Sequence, residues 1–391
     1  MKRTRLTVTS SVLLAVLALA ACSNSNAAGP SKYASSTGTS APAASSSSGT
    51  GTSSSSAAGS PSADQCQSGN LTGGGSTFQA PMQQKWISEY ISRCKNATIN
   101  YSSIGSGAGI QQFSAGTVDF AGSDVLMKDD EQAAADKRCA SPAIHLPITA
   151  GGVGIQYNLP GITTLRFSPD TLADIFQGKV TKWNDPEIAA DNPGVSLPAT
   201  AITVFYRSDA SGTTGIFSSF MAAASKKWTL GTGKTLNWPS TAQGAKGSEG
   251  VSAGVAQTVG GITYAEQAYA LQHKLPLALV KNAGGQYVAL TSETVSKALQ
   301  GATIQPRSAH DLSAKMNYLP TDPQAYPISS VSYVIVCSTY PSSVSKDTVN
   351  LLRSYLAYAV TGGQQFASTL GYAPLPTDLA QKVQASIDAI S

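Results

Sequence analysis

The same short grammar recurs along the chain: an apolar run, a turn of glycine and small hydroxyl residues, then residues at helical spacing. "NLTGGGSTF" (70–78) runs into "APMQQKWISEYISRC" (80–94), where Met82, Trp86, Ile87, Tyr90 and Ile91 recur at helical spacing and Pro81 suits a first turn. "ATINYSSIG" (97–105) alternates as a strand and precedes the short helix of "SGAGIQQFSAG" (106–116). "TVDFAGSD" (117–124) reads as a buried strand ending in polar residues. The pattern returns in "AITVFYRSDASGTTGIFSSFMAAAS" (201–225). Strand, loop and helix in alternation predict an α/β architecture with mostly parallel sheets.

The 391 residues leave room for two domains with full cores. They begin with a basic "MKRTR" and the short apolar run "LLAVLALAA", a pattern expected of a secretory signal at 1–21. Its roughly 16 uncharged residues fall short of the ~20 apolar residues of a spanning helix. The run ends in "LAAC", which resembles a bacterial lipobox and marks Cys22 for lipidation; an ordinary signal-peptidase site with an incidental Cys is the plainer alternative. Residues 23–64 contain no Val, Ile, Leu, Met, Phe or Trp. Such a segment buries too little apolar area to offset its ordering entropy, so it is expected to be a disordered linker with an r.m.s. span of roughly 35 Å. The formal charge is +4, and loss of Lys2, Arg3 and Arg5 with the signal leaves +1. That is no nucleic-acid footprint.

Four cysteines follow Cys22: Cys66, Cys94, Cys139 and Cys337. An even number in an exported chain suggests disulfides, with three pairings possible. The reading leans to Cys66–Cys94 and Cys139–Cys337, because Cys66 and Cys94 each precede a predicted strand and neighbouring parallel strands start together. Buried, reduced thiols are the alternative. The spacing fits no zinc pattern, and His145, His273 and His310 lie far apart, so no metal or other cofactor is expected.

In α/β folds ligands bind beyond the carboxyl ends of the strands, where loops enter helix N-termini. Four such junctions carry small residues: Gly75-Ser76-Thr77, Gly105-Ser106-Gly107, Ser123-Asp124 and Ser211-Gly212-Thr213. Helix N-termini present unsatisfied N–H groups and partial positive charge, glycine permits close approach, and hydroxyls add donors. Singly, each junction is also simply a good helix cap. Together, and with Arg207 beside the last, they predict a cage for a tetrahedral oxyanion.

"LTGGGSTFQAP", "IGSGAGIQQFSAGTVDFAGSD", "LADIFQGKVTKWNDPEIAADNPG" and "RSDASGTTGIFSSF" resemble, in order, signature blocks of the phosphate-binding lipoprotein of bacterial ABC phosphate importers. The likeness continues through "YPISSVSYVIV" and covers roughly 70–385. It implies a two-lobed type II periplasmic-binding-protein fold with discontinuous lobes and two hinge crossings. Residues 65–157 and 330–391 would form lobe 1 and 158–329 lobe 2, with hinges near "IQYNLPG" and "YPISSVS". The implied function is high-affinity extracytoplasmic phosphate binding and delivery to a permease, by a monomer anchored to the outer face of the cell membrane through its N-terminal lipid.

Residue by residue, the resemblance makes Ser76, Thr77 and Phe78 the first binding loop, Ser106 the second and Asp124 the third. Arg207, Ser211, Gly212 and Thr213 come from the second lobe, with Asp209 behind Arg207 as its partner. Ser76 stands where Ala is common, and is expected to offer its backbone N–H. Tyr206 replaces a frequent Arg, leaving Arg207 as the binding residue. Asp124 can accept the proton of phosphate, whereas sulfate has none to offer; arsenate, also protonated, is not separated. Its plain alternative is a cap for the helix near "MKDDEQ". Arg207 offers a planar fork suited to two phosphate oxygens, against the alternative of a surface Arg–Asp pair of little worth.

Other strings fit poorly. "GTGKT" (231–235) lacks the first glycine of a nucleotide loop, because Trp228 occupies that place. "GVSAG" (250–254) matches a nucleophile elbow without the preceding strand. Asp129, Asp130 and Glu131 read as a solvated helix start. Two alternatives remain: a secreted phosphatase-like enzyme using the same cage, lacking a visible activated nucleophile, and a surface interaction protein that binds no oxyanion.

Overall fold

The computed structural model describes residues 65–391. The predicted signal, Cys22 and linker lie outside the described residues. Three strand–helix units open the fold: β1 (Gly69–Gly75) with α1 (Ala80–Arg93), β2 (Ala97–Ser103) with α2 (Ser106–Ser114), and β3 (Phe120–Ser123) with α3 (Asp129–Cys139). β4 (Ala143–Tyr157) then leads to β5 (Arg166–Phe167), α4 (Pro169–Phe176) and α5 (Pro186–Asp191). The strand–helix rhythm resumes with β6 (Thr203–Arg207), α6 (Gly212–Ala224), β7 (Gln243–Ala245), α7 (Gly247–Gln257), β8 (Gly261–Glu266) and α8 (Gln267–His273). Short strands β9 (Leu279–Lys281), β10 (Tyr287–Val288), β11 (Thr303–Ile304) and β12 (Ala314–Lys315) surround α9 (Ser292–Leu299). β13 (Ser329–Cys337), α10 (Lys346–Val360) and α11 (Thr377–Asp388) complete the chain. Among the described residues no helix is long and apolar enough to cross a membrane.

The main sheet has the order β2-β1-β3-β13-β4-β8-β6-β7. Its two ends are parallel, as expected: β1 with β2 and β3, and β6 with β7 and β8. Its centre is antiparallel, which the expectation of mostly parallel sheets missed. β13 runs against β3 and β4, and β4 against β8. One strand joins the ends: Ala143–Gly152 of β4 pair with β13, and Val153–Tyr157 with β8. Both β4 and β13 are buried along their whole length. Neither has a solvated face, so the polar residues they carry, His145, Thr149, Gln156 and Ser332 among them, are buried with the apolar ones.

The predicted helix at 80–94 forms, burying Met82, Trp86 and Tyr90 on one stripe while Ile91 is 37% exposed. Cys66 is bonded to Cys94 and Cys139 to Cys337. Gly69 pairs with Ala97 at the start of the parallel β1–β2 ladder, so the residues before these two strands do lie together. Gly75 adopts φ +142°, and a Cβ there would stand 2.2 Å from the Gly122 carbonyl oxygen. Only glycine allows this close passage at the mouth of the first loop.

Candidate functional site

The strand-to-helix loops of both parallel ends meet beyond the carboxyl edges of β1, β2, β3 and β6. Ser76, Thr77, Phe78, Ser106, Asp124, Arg207, Ser211 and Thr213 are each at most 3% exposed, and Gly212 is buried with them. Gly107 N–H donates to the Ala210 carbonyl at 2.9 Å and Gly212 N–H to Ser106 Oγ at 3.2 Å, joining the α2 and α6 loops. A Cβ on Gly212 would approach Asp124 Oδ2 to 2.3 Å. The loop requires a residue without a side chain at this point.

Asp124 forms the centre of one wall. Ser76 and Ser332 each donate to its Oδ1 at 2.5 Å, and Ser106 donates to Oδ2 at 3.2 Å. Behind Ser332 runs a chain of amides. Tyr355 OH donates to Gln83 Oε1, Gln83 Nε2 to Gln79 Oε1, and Gln79 Nε2 to Ser332 Oγ, at 2.5, 2.7 and 2.8 Å. Every donor in that chain points toward Asp124. Burial pushes the Asp124 carboxyl up, and the hydroxyls of Ser332, Ser76 and Ser106 with the Arg207 charge offset this only in part. The result is a carboxylate more basic than usual. Lys128, not Asp124, occupies the N-cap of α3, so the plain capping role is not what the fold uses.

Arg207 forms the centre of the facing wall. Its Nε and Nη2 donate to the two oxygens of Asp209 at 2.8 and 2.5 Å, and Nη1 reaches Thr213 Oγ1 at 3.3 Å and Ser248 Oγ at 3.1 Å. Arg207 is buried and Asp209 half-buried, so the pair is not the solvated surface pair of the alternative. The two-donor edge expected to grip an anion holds Asp209 instead, and Nη1 alone turns toward Thr213 and Ser248. Burial opposes the charge on Arg207, but Asp209 and Glu266 more than restore it. Burial likewise raises Asp209, and the hydrogen bond and charge of Arg207, with Gly247 N–H, bring it below the usual range.

Two further details correct the sequence reading. The Ser76 N–H donates to Gly122 O at 2.9 Å, so the backbone donor expected for a ligand is already engaged and the hydroxyl serves Asp124. Phe78 buries its ring edge-on to Tyr372, whose OH donates to the Phe78 carbonyl, so neither its ring nor its carbonyl is free. Ser211 caps α6 by accepting from Thr214 N–H at 3.1 Å.

Three polar residues of the site were not anticipated. Ser248, at the start of α7, shares a 2.9 Å hydrogen bond with Thr77 Oγ1 and receives Arg207. Glu266, the last residue of β8, accepts from Thr213 Oγ1 at 2.6 Å. Ser332, in the middle of β13, binds Asp124. A carboxylate ending an apolar strand, as in "GITYAE", was the available signal for Glu266.

The strings set aside resolve in simple ways. "GVSAG" lies inside α7, with Ser252 buried in the helix. Lys234 of "GTGKT" pairs with Glu131 at 2.5 Å, so Glu131 is no free solvated carboxylate; Asp129 and Asp130 are exposed as expected. His145, Asp311 and Ser313 do cluster, but Nε2 of His145 accepts from Met127 N–H, and both Asp311 and Ser313 meet Nδ1. A serine nucleophile needs a ring nitrogen free to take its proton, and this ring has none.

A PBP superfamily domain model matches residues 37–362. Phosphate-binding protein PstS 3 of Mycobacterium tuberculosis (strain H37Rv) is 38% identical over 325 residues, covering 82% of this chain and 86% of its own length. Phosphate-binding protein PstS of Pasteurella multocida is 37% identical over 323 residues, covering 82% and 90%. Among solved structures, the phosphate-binding protein from Stenotrophomonas maltophilia superimposes with a TM-score of 0.61 at 20% identity, covering 81% of this chain and 93% of that one.

Proposed function

We propose, since this chain belongs to the PBP superfamily and within it to the PstS phosphate-binding proteins, that it captures inorganic phosphate outside the cytoplasm and delivers it to an ABC import permease. The observation that supports this most directly is a basic, donor-surrounded carboxylate, Asp124, buried opposite a cation, Arg207. A fully deprotonated oxyanion would be repelled by it. A protonated one offers its O–H to Asp124 in a charge-assisted bond, while Arg207, the hydroxyls of Ser211 and Thr213, and the N–H groups of Thr77 and Phe78 hold the remaining oxygens; the Ser106 hydroxyl and the Gly212 N–H stay engaged with Asp124 and with Ser106.

In this reading residues 65–157 with 330–391 form one lobe and 158–329 the other, and β4 and β13 are the crossings about which they close. Closure excludes water from the anion and strengthens each hydrogen bond to it. The N-terminal extension would tether a monomer to the membrane through lipid on Cys22. The cage acts by binding, with no bond of phosphate broken.

Calorimetric titration of the full chain in detergent, freed of ligand by unfolding and refolding without reductant, tests the reading. One phosphate bound per chain with no sulfate heat is the expected outcome. Equal binding of both would remove Asp124 from discrimination, and absence of phosphate binding by the folded chain would overturn the function. Release of a chromogenic alcohol from a phosphate ester would restore the enzyme alternative.

A further inference from the structure

Behind Thr213 lies a second carboxylate that the anion reading leaves without a task. Glu266 is 1% exposed and ends β8 directly behind the α6 N-terminus. Its Oε1 accepts from Thr213 Oγ1 at 2.6 Å, while its buried Oε2 has no hydrogen-bond partner among the described residues. Thr213 Oγ1 also receives Arg207 Nη1. A threonine hydroxyl has one proton. With Glu266 ionised, that proton is directed at the carboxylate, and Thr213 shows an arriving anion only a lone pair.

We infer that Glu266 is a positioning residue for the anion: it takes up one proton from solvent as the anion binds, donates it in a hydrogen bond to Thr213 Oγ1, and so turns the threonine proton toward the ligand. The inference rests on the anion-site reading and adds a proton-linked step to it. The balance is simple: carboxylate plus one solvent proton gives the carboxylic acid, and Thr213 changes from donor toward Glu266 to donor toward ligand with no bond of its own broken.

The surroundings favour this exchange. Burial pushes the Glu266 carboxyl up to about 7, against the hydroxyls of Thr213 and Ser248 and the charge of Arg207, with Asp124 adding to the rise. Tyr264 on its own strand, Tyr269 on α8 and Tyr372 have phenols pushed further up by burial, so they stay neutral. Glu249 on α7 is engaged with Ser103 and Tyr269 OH, and Asp209 with Arg207. Among these charged groups Arg207 is the cation facing Asp124, Asp209 and Glu266. Adding an anion to three carboxylates and one guanidinium makes neutralising Glu266 the natural response.

Titration of the full chain with inorganic phosphate in buffers of different ionisation enthalpy, between pH 6 and 9, tests this against Glu266→Gln. The amide can donate to Thr213 permanently, so the variant should take up about one proton fewer per phosphate. Its affinity should also fall less steeply above pH 7, by about tenfold per pH unit relative to the wild type. Glu266→Ala, which has no donor, should bind more weakly at every pH and lack the rescue seen with Gln. Equal proton counts and parallel profiles in wild type and Glu266→Gln overturn the inference while leaving phosphate binding intact. No phosphate binding by the wild-type chain overturns both readings together. If Glu266→Gln does not fold, difference infrared spectroscopy of Asp124→Asn at pH 8 decides: a new protonated-carboxyl band on phosphate addition supports the role, and its absence overturns it.

Discussion

Asp124 and Glu266 are carboxylates of nearly the same burial, both within the field of the Arg207 guanidinium, yet their hydrogen bonding differs in kind. Asp124 receives three hydroxyls, one of them held by the Tyr355–Gln83–Gln79–Ser332 chain. Reversing any link there would require an amide to turn over and lose its other partner, since Gln79 Nε2 also donates to the Tyr333 carbonyl. Glu266 has one close hydroxyl, Thr213 Oγ1 at 2.6 Å, with the weaker influence of Ser248, which is shared with Thr77 and Arg207, and the Thr213 hydroxyl can rotate. One wall therefore offers a fixed acceptor, suited to recognising a proton that the ligand brings. The other offers a reversible contact, suited to exchanging a proton with solvent. Saturation with donors, more than burial, separates the two roles.

The largest expected effect comes from breaking the fixed wall. Asp124→Asn replaces the acceptor by an amide that can also donate, so phosphate loses its partner for O–H and sulfate gains one. Rejection of an analogue lacking the needed group can reach ~10⁴–10⁵, and the variant should narrow the phosphate-to-sulfate ratio by at least about a hundredfold. Competition titration with both anions measures this, and an unchanged ratio would place the discrimination elsewhere.

The reversible wall is sharpened by a stability measurement that needs no ligand. A carboxyl raised in the folded state contributes stability that is complete below its unfolded pKa and lost as pH rises through the folded one. For Glu266 that window runs from 4.5, the ordinary value, up to about 7. Wild-type stability should therefore decline across it relative to Glu266→Gln, by on the order of 3 kcal/mol in total. Denaturant unfolding at pH 5, 6, 7 and 8 follows the difference. It should grow to pH 7 and then level off, and a constant difference would mean that Glu266 does not titrate in this window.

How much of this was legible depends on how local each signal was. Ser76, Thr77, Ser106 and Ser211–Thr213 stand out because glycine and hydroxyls between an apolar run and a helix have a direct physical reading. Glu266, Ser248 and Ser332 do not, because each acts on a residue 41 to 208 positions away. Strand direction was hidden for a similar reason. A strand buried on both faces carries the same pattern whether its neighbours are parallel or antiparallel, so the central place of β4 and β13 left no mark in their residues. The division of Arg207 into an edge held by Asp209 and an Nη1 turned toward Thr213 and Ser248 was equally hidden, since spacing gives a partner without an orientation.

The smallest effect expected is at one of the contacts between the two sides of the site. Lys234 Nζ binds Glu131 on α3, next to the Asp124 loop, and the Lys234 carbonyl accepts from Ser211 N–H at 2.9 Å, at the head of α6. One residue thus touches both sides of the site. The side chains of Lys234 and Glu131 are 9% and 21% exposed, so salt screens the pair less than a surface one. Loss of about 1 kcal/mol from a partly buried pair corresponds to roughly a fivefold change in an equilibrium. Lys234→Met and Glu131→Gln should each speed phosphate dissociation by about that factor while leaving the phosphate-to-sulfate ratio intact, because neither touches the acceptor that tells the anions apart. The double variant should be no faster than either single one. Multiplying effects in stopped-flow dissociation would mean that the two residues act separately, and that the walls are held by other contacts, such as the Gly107–Ala210, Gly212–Ser106 and Thr77–Ser248 hydrogen bonds.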